Sequence, residues 1–112
     1  MSQQPTPADV DEFLDATVLD DDPALTAALA ASDAAGLPPI AVSPQQGKFL
    51  TLLAAATGAR RILEIGTLGG YSTICLARGA GPDGRVTTLE YAPKHAEVAR
   101  ANLDRAGVGD RV

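Results

Sequence analysis

The stretch Arg61–Leu76, "RILEIGTLGGYSTICL", decides the fold. Apolar Ile62, Leu63 and Ile65 predict a short strand over Arg61–Ile65. Gly66–Gly70 reads as a turn, and Tyr71 to about Arg78 as a helix. "GAGPDG" (Gly79–Gly84) is a dense turn signal, and Arg85–Glu90, "RVTTLE", is a second strand. Pro93 opens a long helix through Ala106, with Ala92, Ala96, Ala99, Leu103 and Ala106 along one face and Gly107 at its end. "GDRV", at the end of the chain, reads as the approach to a third strand. Strand–helix–strand alternation implies parallel pairing through a right-handed crossover. The fold class is therefore α/β, the opening half of a doubly wound sheet.

Upstream, proline marks three helix starts. Thr6-Pro7 begins a helix to about Leu19, with Val10, Phe13, Leu14 and Val18 as its apolar stripe, after a loose polar tail over Met1–Pro5. Asp22 caps a second helix from Pro23, carrying Leu25, Ala28 and Leu29 and closed by Gly36. Asp20–Asp22 is read as a solvated turn and cap rather than a metal site. Ser43-Pro44 with Gln46 forms a capping box for a third helix, its apolar body Phe49, Leu50, Leu52 and Leu53 and its stop Gly58. Gly47-Lys48 is not a phosphate-binding loop: no glycine lies five residues before Gly47, and Phe49 stands where Ser or Thr belongs.

The 112 residues bound the chain to one domain, and the 46% apolar content suits a globular core built mainly of Ala, Leu, Val and Ile. A net charge of −5 argues against a nucleic-acid or membrane-surface partner. One cysteine, Cys75, permits no internal disulfide and is expected as a small buried core residue. "MSQQPTPADV" has no basic start or apolar h-region, so a cytoplasmic protein is expected.

Ligands of open α/β sheets sit beyond the carboxyl ends of the strands, where Gly66–Gly70 lies. Gly66 lets backbone approach a ligand, and the following helix start supplies N–H groups and partial positive charge. Ser72 places a hydroxyl there, as ligand contact or as simple cap. The dinucleotide pattern G-x-G-x-x-G fails at Leu68. The pattern E-x-G-x-G-x-G matches at Glu64, Gly66 and Gly70, with only Leu68 departing. Glu90 ends the second strand about twenty residues after Gly70, where an acid accepts hydrogen bonds from both ribose hydroxyls. An acid just before the turn repels pyrophosphate and suits a sulfonium or ammonium group. S-adenosylmethionine carries both cations and a ribose, and no phosphate, which favours it over NAD.

"LEIGTLGGYSTICLAR" and "DGRVTTLEYAPKHAEVARANLDRAGVGDRV", preceded by "AVSPQQGKFL", closely resemble the class I S-adenosylmethionine-dependent O-methyltransferases of the catechol and caffeoyl-CoA type, over roughly Ile40–Val112. The resemblance implies a Rossmann-like methyltransferase fold, ending after its second β-α unit and preceded by N-terminal helices. Residues 1–39 are expected as that helical segment, and 40–112 as the incomplete cofactor-binding half. It implies that Val42 contacts the methionine end, that Glu64 binds the ammonium end, partly through backbone and water, and that Gly66 and Thr67 line the turn beneath the methionyl group. Tyr71 and Ser72 would flank it, with Ser72 on the carboxylate; Glu90 would take the ribose hydroxyls, and Tyr91 would form part of the adenine wall. Lys48 and His95 receive no role, and His95 is expected to face solvent.

The activity so implied is methyl transfer to a hydroxyl of a small catechol-like or caffeoyl-CoA-like molecule, assisted by a divalent metal, usually magnesium. The family's metal ligands and catalytic lysine follow the third strand, so no catalytic or metal residue is assigned. A truncated member of the family is expected, with a bare apolar sheet edge and marginal stability. The alternative is a cofactor-binding or interaction module without turnover. In relatives the N-terminal helices help form dimers, so a homodimer is an expected assembly.

Overall fold

The structure, a computed structural model, describes residues 3–112. Of the polar tail expected over Met1–Pro5, Met1 and Ser2 lie outside the described residues; Gln3–Pro5 have no regular structure. Three helices come first: α1 (Pro7–Val18), α2 (Pro23–Ala34) and α3 (Pro44–Ala56). Each starts where a capping side chain meets a proline. Thr6 and Ser43 form reciprocal capping boxes with Asp9 and Gln46, and Asp22 accepts from the Leu25 N–H.

Then β1 (Arg61–Ile65), α4 (Tyr71–Ala80), β2 (Arg85–Leu89) and α5 (Pro93–Arg105) follow in alternation. The strands pair in parallel, Ile62 opposite Val86 and Glu64 opposite Thr88. "GDRV", read as the approach to a third strand, is a short 3₁₀ helix over Gly109–Arg111, held by the Arg111 N–H on the Val108 carbonyl. Among the described residues the sheet therefore has two strands, β1 beside β2.

Period-two alternation sends Ile62 and Val86 to the face covered by helices, where Ile74, Ala77, Leu103 and Val108 close the core. The other face, with Leu63, Ile65 and Leu89, is exposed. A continuous apolar strand is expected to be buried on both faces; among the described residues no layer covers this one.

Two expected apolar stripes are not the buried faces. On α1, Val10, Phe13 and Val18 are exposed and only Leu14 is partly covered. On α3, Phe49, Leu52 and Leu53 face out, and the buried residues are Gly47 and Ala54. The cause is the close crossing of α3 and α4. A Cβ on Gly79 would sit 2.5 Å from the Thr51 carbonyl oxygen, and one on Gly47 would sit 3.0 Å from both Cys75 Sγ and the Tyr71 ring. Small residues make that approach, so the large ones turn away. Gly47 thus serves helix packing.

Asp22 also joins α2 to α4 through a two-pronged ion pair with Arg78. Burial opposes its charge, yet the Arg78 guanidinium and the Leu25 and Ala24 N–H groups hold its carboxyl below the usual range. Cys75 is buried, as expected, and burial pushes its thiol up. Among the described residues, no helix is long and apolar enough to cross a membrane.

Candidate functional site

A cleft of about 590 Å³ opens at the carboxyl ends of β1 and β2. The Gly66–Ser72 turn and Glu90 form one wall, and the segment Leu37–Val42 with the end of α2 forms the other. Six residues singled out in the sequence meet here: Val42, Gly66, Thr67, Tyr71, Ser72 and Glu90. Glu64 and Tyr91 do not line it.

The turn is built from left-handed backbone. Gly66 (φ 90), Leu68 (φ 53) and Gly70 (φ 87) alternate with residues of ordinary φ. Leu68 therefore occupies the conformation that explains glycine at the middle of the generic fingerprint. A Cβ on Gly66 would meet no protein atom within 4 Å, so the space beside it is left to the cleft. At α4 the N-cap is Gly70, and no side chain caps the first-turn N–H groups.

Two carboxylates brace the turn. Glu90 Oε1 accepts from the Thr67 N–H (3.1 Å) and the Leu68 N–H (2.7 Å), and Oε2 from the Ala92 N–H (3.0 Å). The Ala92 and Leu68 N–H groups, against the opposing effect of burial and aided by Thr67 and His95, hold its carboxyl below the usual range. Glu90 thus staples the end of β2 to the glycine turn, bonds that the sequence reading did not anticipate.

The Glu64 carboxylate is engaged within the chain. Its Oε2 accepts from Ser72 Oγ (2.6 Å), and its Oε1 from the hydroxyls of Thr73 and Thr88. Glu64 points along the covered face of β1 toward the start of α4, where a negative charge is favoured. Three hydroxyls therefore occupy the carboxylate that the resemblance assigned to an ammonium. Thr88 and Thr67 share a further hydroxyl contact, so the network runs unbroken from Ser72 to the turn.

Tyr71 is 6% exposed, and burial pushes its phenol up to about 12, so it stays protonated. Tyr91 stands wholly in solvent next to Glu90. His95, expected to face solvent, lines the cleft instead, its side chain 25% exposed and its Nδ1 3.7 Å from Glu90 Oε2. The first turn of α5 aims it there, a direction the sequence leaves open when the helix's start alone is known.

Sequence reading also missed Asn102. It is fully buried, donates to the Gly69 carbonyl (2.8 Å) and the Ala28 carbonyl (3.4 Å), and accepts from Arg105 (2.7 Å). It ties the turn to α2 and α5. The signal for it was a polar residue beside Leu103 on a face otherwise read as apolar.

The O-methyltransferase family profile matches residues 16–112. Over all 112 residues the chain is 78% identical to a catechol O-methyltransferase of Mycobacterium tuberculosis, covering 51% of that protein. A cofactor-bound crystal structure from MTB, also 78% identical, superposes with a TM-score of 0.94 over 98% of this chain and 50% of its own. An O-methyltransferase from Bacillus cereus, solved in complex with SAH, is 54% identical with a TM-score of 0.89, over 92% of this chain and 47% of its own. The chain thus spans about half the length of the relatives it matches.

Proposed function

This chain belongs to the O-methyltransferase family, and we propose that its cleft holds S-adenosylmethionine for methyl transfer to a hydroxyl of a small molecule of the catechol or caffeoyl-CoA type. The observation that carries this reading is the meeting, at one cleft, of the Gly66 cradle, the open start of α4 and the Glu90 carboxylate. When bound, the cofactor supplies an electrophilic sulfonium methyl.

The chain's own residues bind and orient it. Gly66 and Thr67 pass backbone beneath the methionyl group, and the α4 N–H groups with Ser72 receive its carboxylate. Val42 and Tyr71 pack against the same end. Glu64 acts at one remove: it fixes the Ser72 hydroxyl and keeps a negative charge behind the cation. Glu90 accepts from the ribose, and Tyr91, exposed beside it, covers the adenine. On this reading residues 1–39 form a helical segment over the cleft and 40–112 the cofactor-binding half. The exposed apolar side chains of α1 and α3 suit a homodimer contact, and the single thiol suits a reducing cytoplasm.

Magnesium is assigned to no residue. Among the described residues there is no group of three or more His, Cys, Asp or Glu placed to hold a metal ion.

Isothermal titration of the chain with S-adenosylhomocysteine tests the reading. Saturable one-to-one binding is expected, and its absence would sink the proposal. At a ligand concentration of about 100 times Kd, binding should add roughly 2.7 kcal/mol to stability. A methylation assay with a catechol and added magnesium separates an enzyme from the second reading, a cofactor-binding module. The assignment of every site residue here to cofactor rather than acceptor favours that module if titration succeeds and turnover fails.

A further inference from the structure

We propose that Asn102 is a positioning residue for the cofactor cleft: from behind the glycine turn, its amide holds the Gly69 carbonyl and so sets how the turn presents the start of α4 to the methionyl end of the cofactor. The inference rests on the cofactor reading of the cleft and deepens it, since Asn102 stands behind the lining residues and acts through one of them.

The two halves of the turn are held differently. Glu90 takes the Thr67 and Leu68 N–H groups, so the first half is fixed from the end of β2. The second half is the pair Gly69-Gly70, whose backbone reaches conformations closed to other residues. One side of the peptide between them is held locally: the Gly70 N–H donates to the Thr67 carbonyl at 3.0 Å. The other side, the Gly69 carbonyl, receives no backbone N–H among the described residues. Asn102 Nδ2 donates to it at 2.8 Å. That side-chain bond completes the fixing of the peptide that enters α4 at its N-cap, Gly70, just before Tyr71 and Ser72.

The chemistry of the place calls for an amide. Asn102 is fully buried, and a buried amide has two N–H groups and an oxygen to satisfy. Nδ2 serves Gly69 and reaches the Ala28 carbonyl of α2 at 3.4 Å, while the oxygen accepts from Arg105 at 2.7 Å. The Arg105 donor decides which way round the amide sits. A leucine would fill the same space beside Leu103 and leave the Gly69 carbonyl buried without a donor, a cost that the turn relieves by moving. The surroundings are close: a Cβ on Gly69 would overlap Ser32 Oγ of α2, and one on Gly70 would lie 3.5 Å from Ala99 of α5. The turn, α2 and α5 therefore meet at Asn102, and α2 brings Leu29, Ser32 and Asp33 to the opposite wall of the cleft. The bonds of Glu90 to the turn do not pass through Asn102, so the adenosyl end is held independently.

The alternative is that Asn102 serves only the packing of α5. Titration of S-adenosylhomocysteine and of 5′-methylthioadenosine, which lacks the amino-acid end, into wild type and variants separates the two. Wild type is expected to bind both. Asn102→Leu should weaken S-adenosylhomocysteine about tenfold, as the loss of one buried hydrogen bond allows, and leave 5′-methylthioadenosine unchanged. Arg105→Met, at an exposed position, removes the donor that orients the amide and should weaken S-adenosylhomocysteine alone, by a smaller factor. Unchanged S-adenosylhomocysteine binding by Asn102→Leu overturns the proposal. So does an equal loss for both ligands, which marks a structural role. If Asn102→Leu lacks a cooperative urea transition, Arg105→Met decides by the same two outcomes. Wild type that binds neither ligand removes the cofactor reading itself, a failure visible without any variant.

Discussion

Leu68, at φ 53 between two left-handed glycines, shows how the turn is specified residue by residue. A leucine there costs about 1 kcal/mol or more in backbone strain, and it is held by the N–H donated to Glu90. Gly66 carries a different requirement, open space beside its Cα. Gly66→Ala is expected to weaken S-adenosylhomocysteine binding at least tenfold, because the methyl enters the cleft at φ 90; titration reads it. Glu90 makes the turn pH-dependent. Its folded carboxyl lies below the ordinary value of 4.5, so it binds a proton less readily when folded than when unfolded. Its contribution is complete above that value and is lost as pH falls through the lower, folded one. Urea midpoints measured from about pH 6 down to about pH 3 should fall steeply in wild type and less steeply in Glu90→Gln. Asp22 titrates in the same direction and remains in the variant, so the slope is reduced rather than abolished.

Between elements, the tightest constraint is the crossing of α3 and α4. Gly79 lies against the Thr51 carbonyl and Ala54, and backbone cannot yield there as a flexible side chain can. Gly79→Ala should destabilise the chain by about 1–3 kcal/mol through overpacking, seen as a lower urea midpoint at unchanged m-value. Helix starts were legible in the sequence because each depends on neighbours a few residues away: Ser43 with Gln46, Asp22 with Leu25, Pro93 at the first turn of α5. Which face of α3 is buried was not legible. Phe49, Leu52 and Leu53 form a plausible stripe, and only the approach of α4 shows that glycine and alanine make the contact.

For the whole molecule, the sheet is the weak point. It has two strands, and its open face presents Leu63, Ile65 and Leu89, at 64%, 80% and 50% exposure. Apolar surface of this kind on a short sheet invites association. Leu63→Lys should leave the melting temperature of the chain nearly unchanged, since the side chain buries little. It should also reduce aggregate measured by light scattering. A large loss of stability instead would show that Leu63 is covered in solution.

The sequence alone determined the order of helices and strands, the capped starts and the glycine turn. These depend on backbone dihedrals and on contacts within a few residues. Tertiary structure decided what the side chains do there. It gave Glu64 to Ser72, Thr73 and Thr88, brought His95 to Glu90 across the cleft wall, and buried Asn102 between Ala28 and Gly69. The Glu64 bonds and the two that Asn102 donates join residues 8 to 74 positions apart. A carboxylate or amide takes whichever donors the packed chain places beside it, and no local pattern encodes that choice.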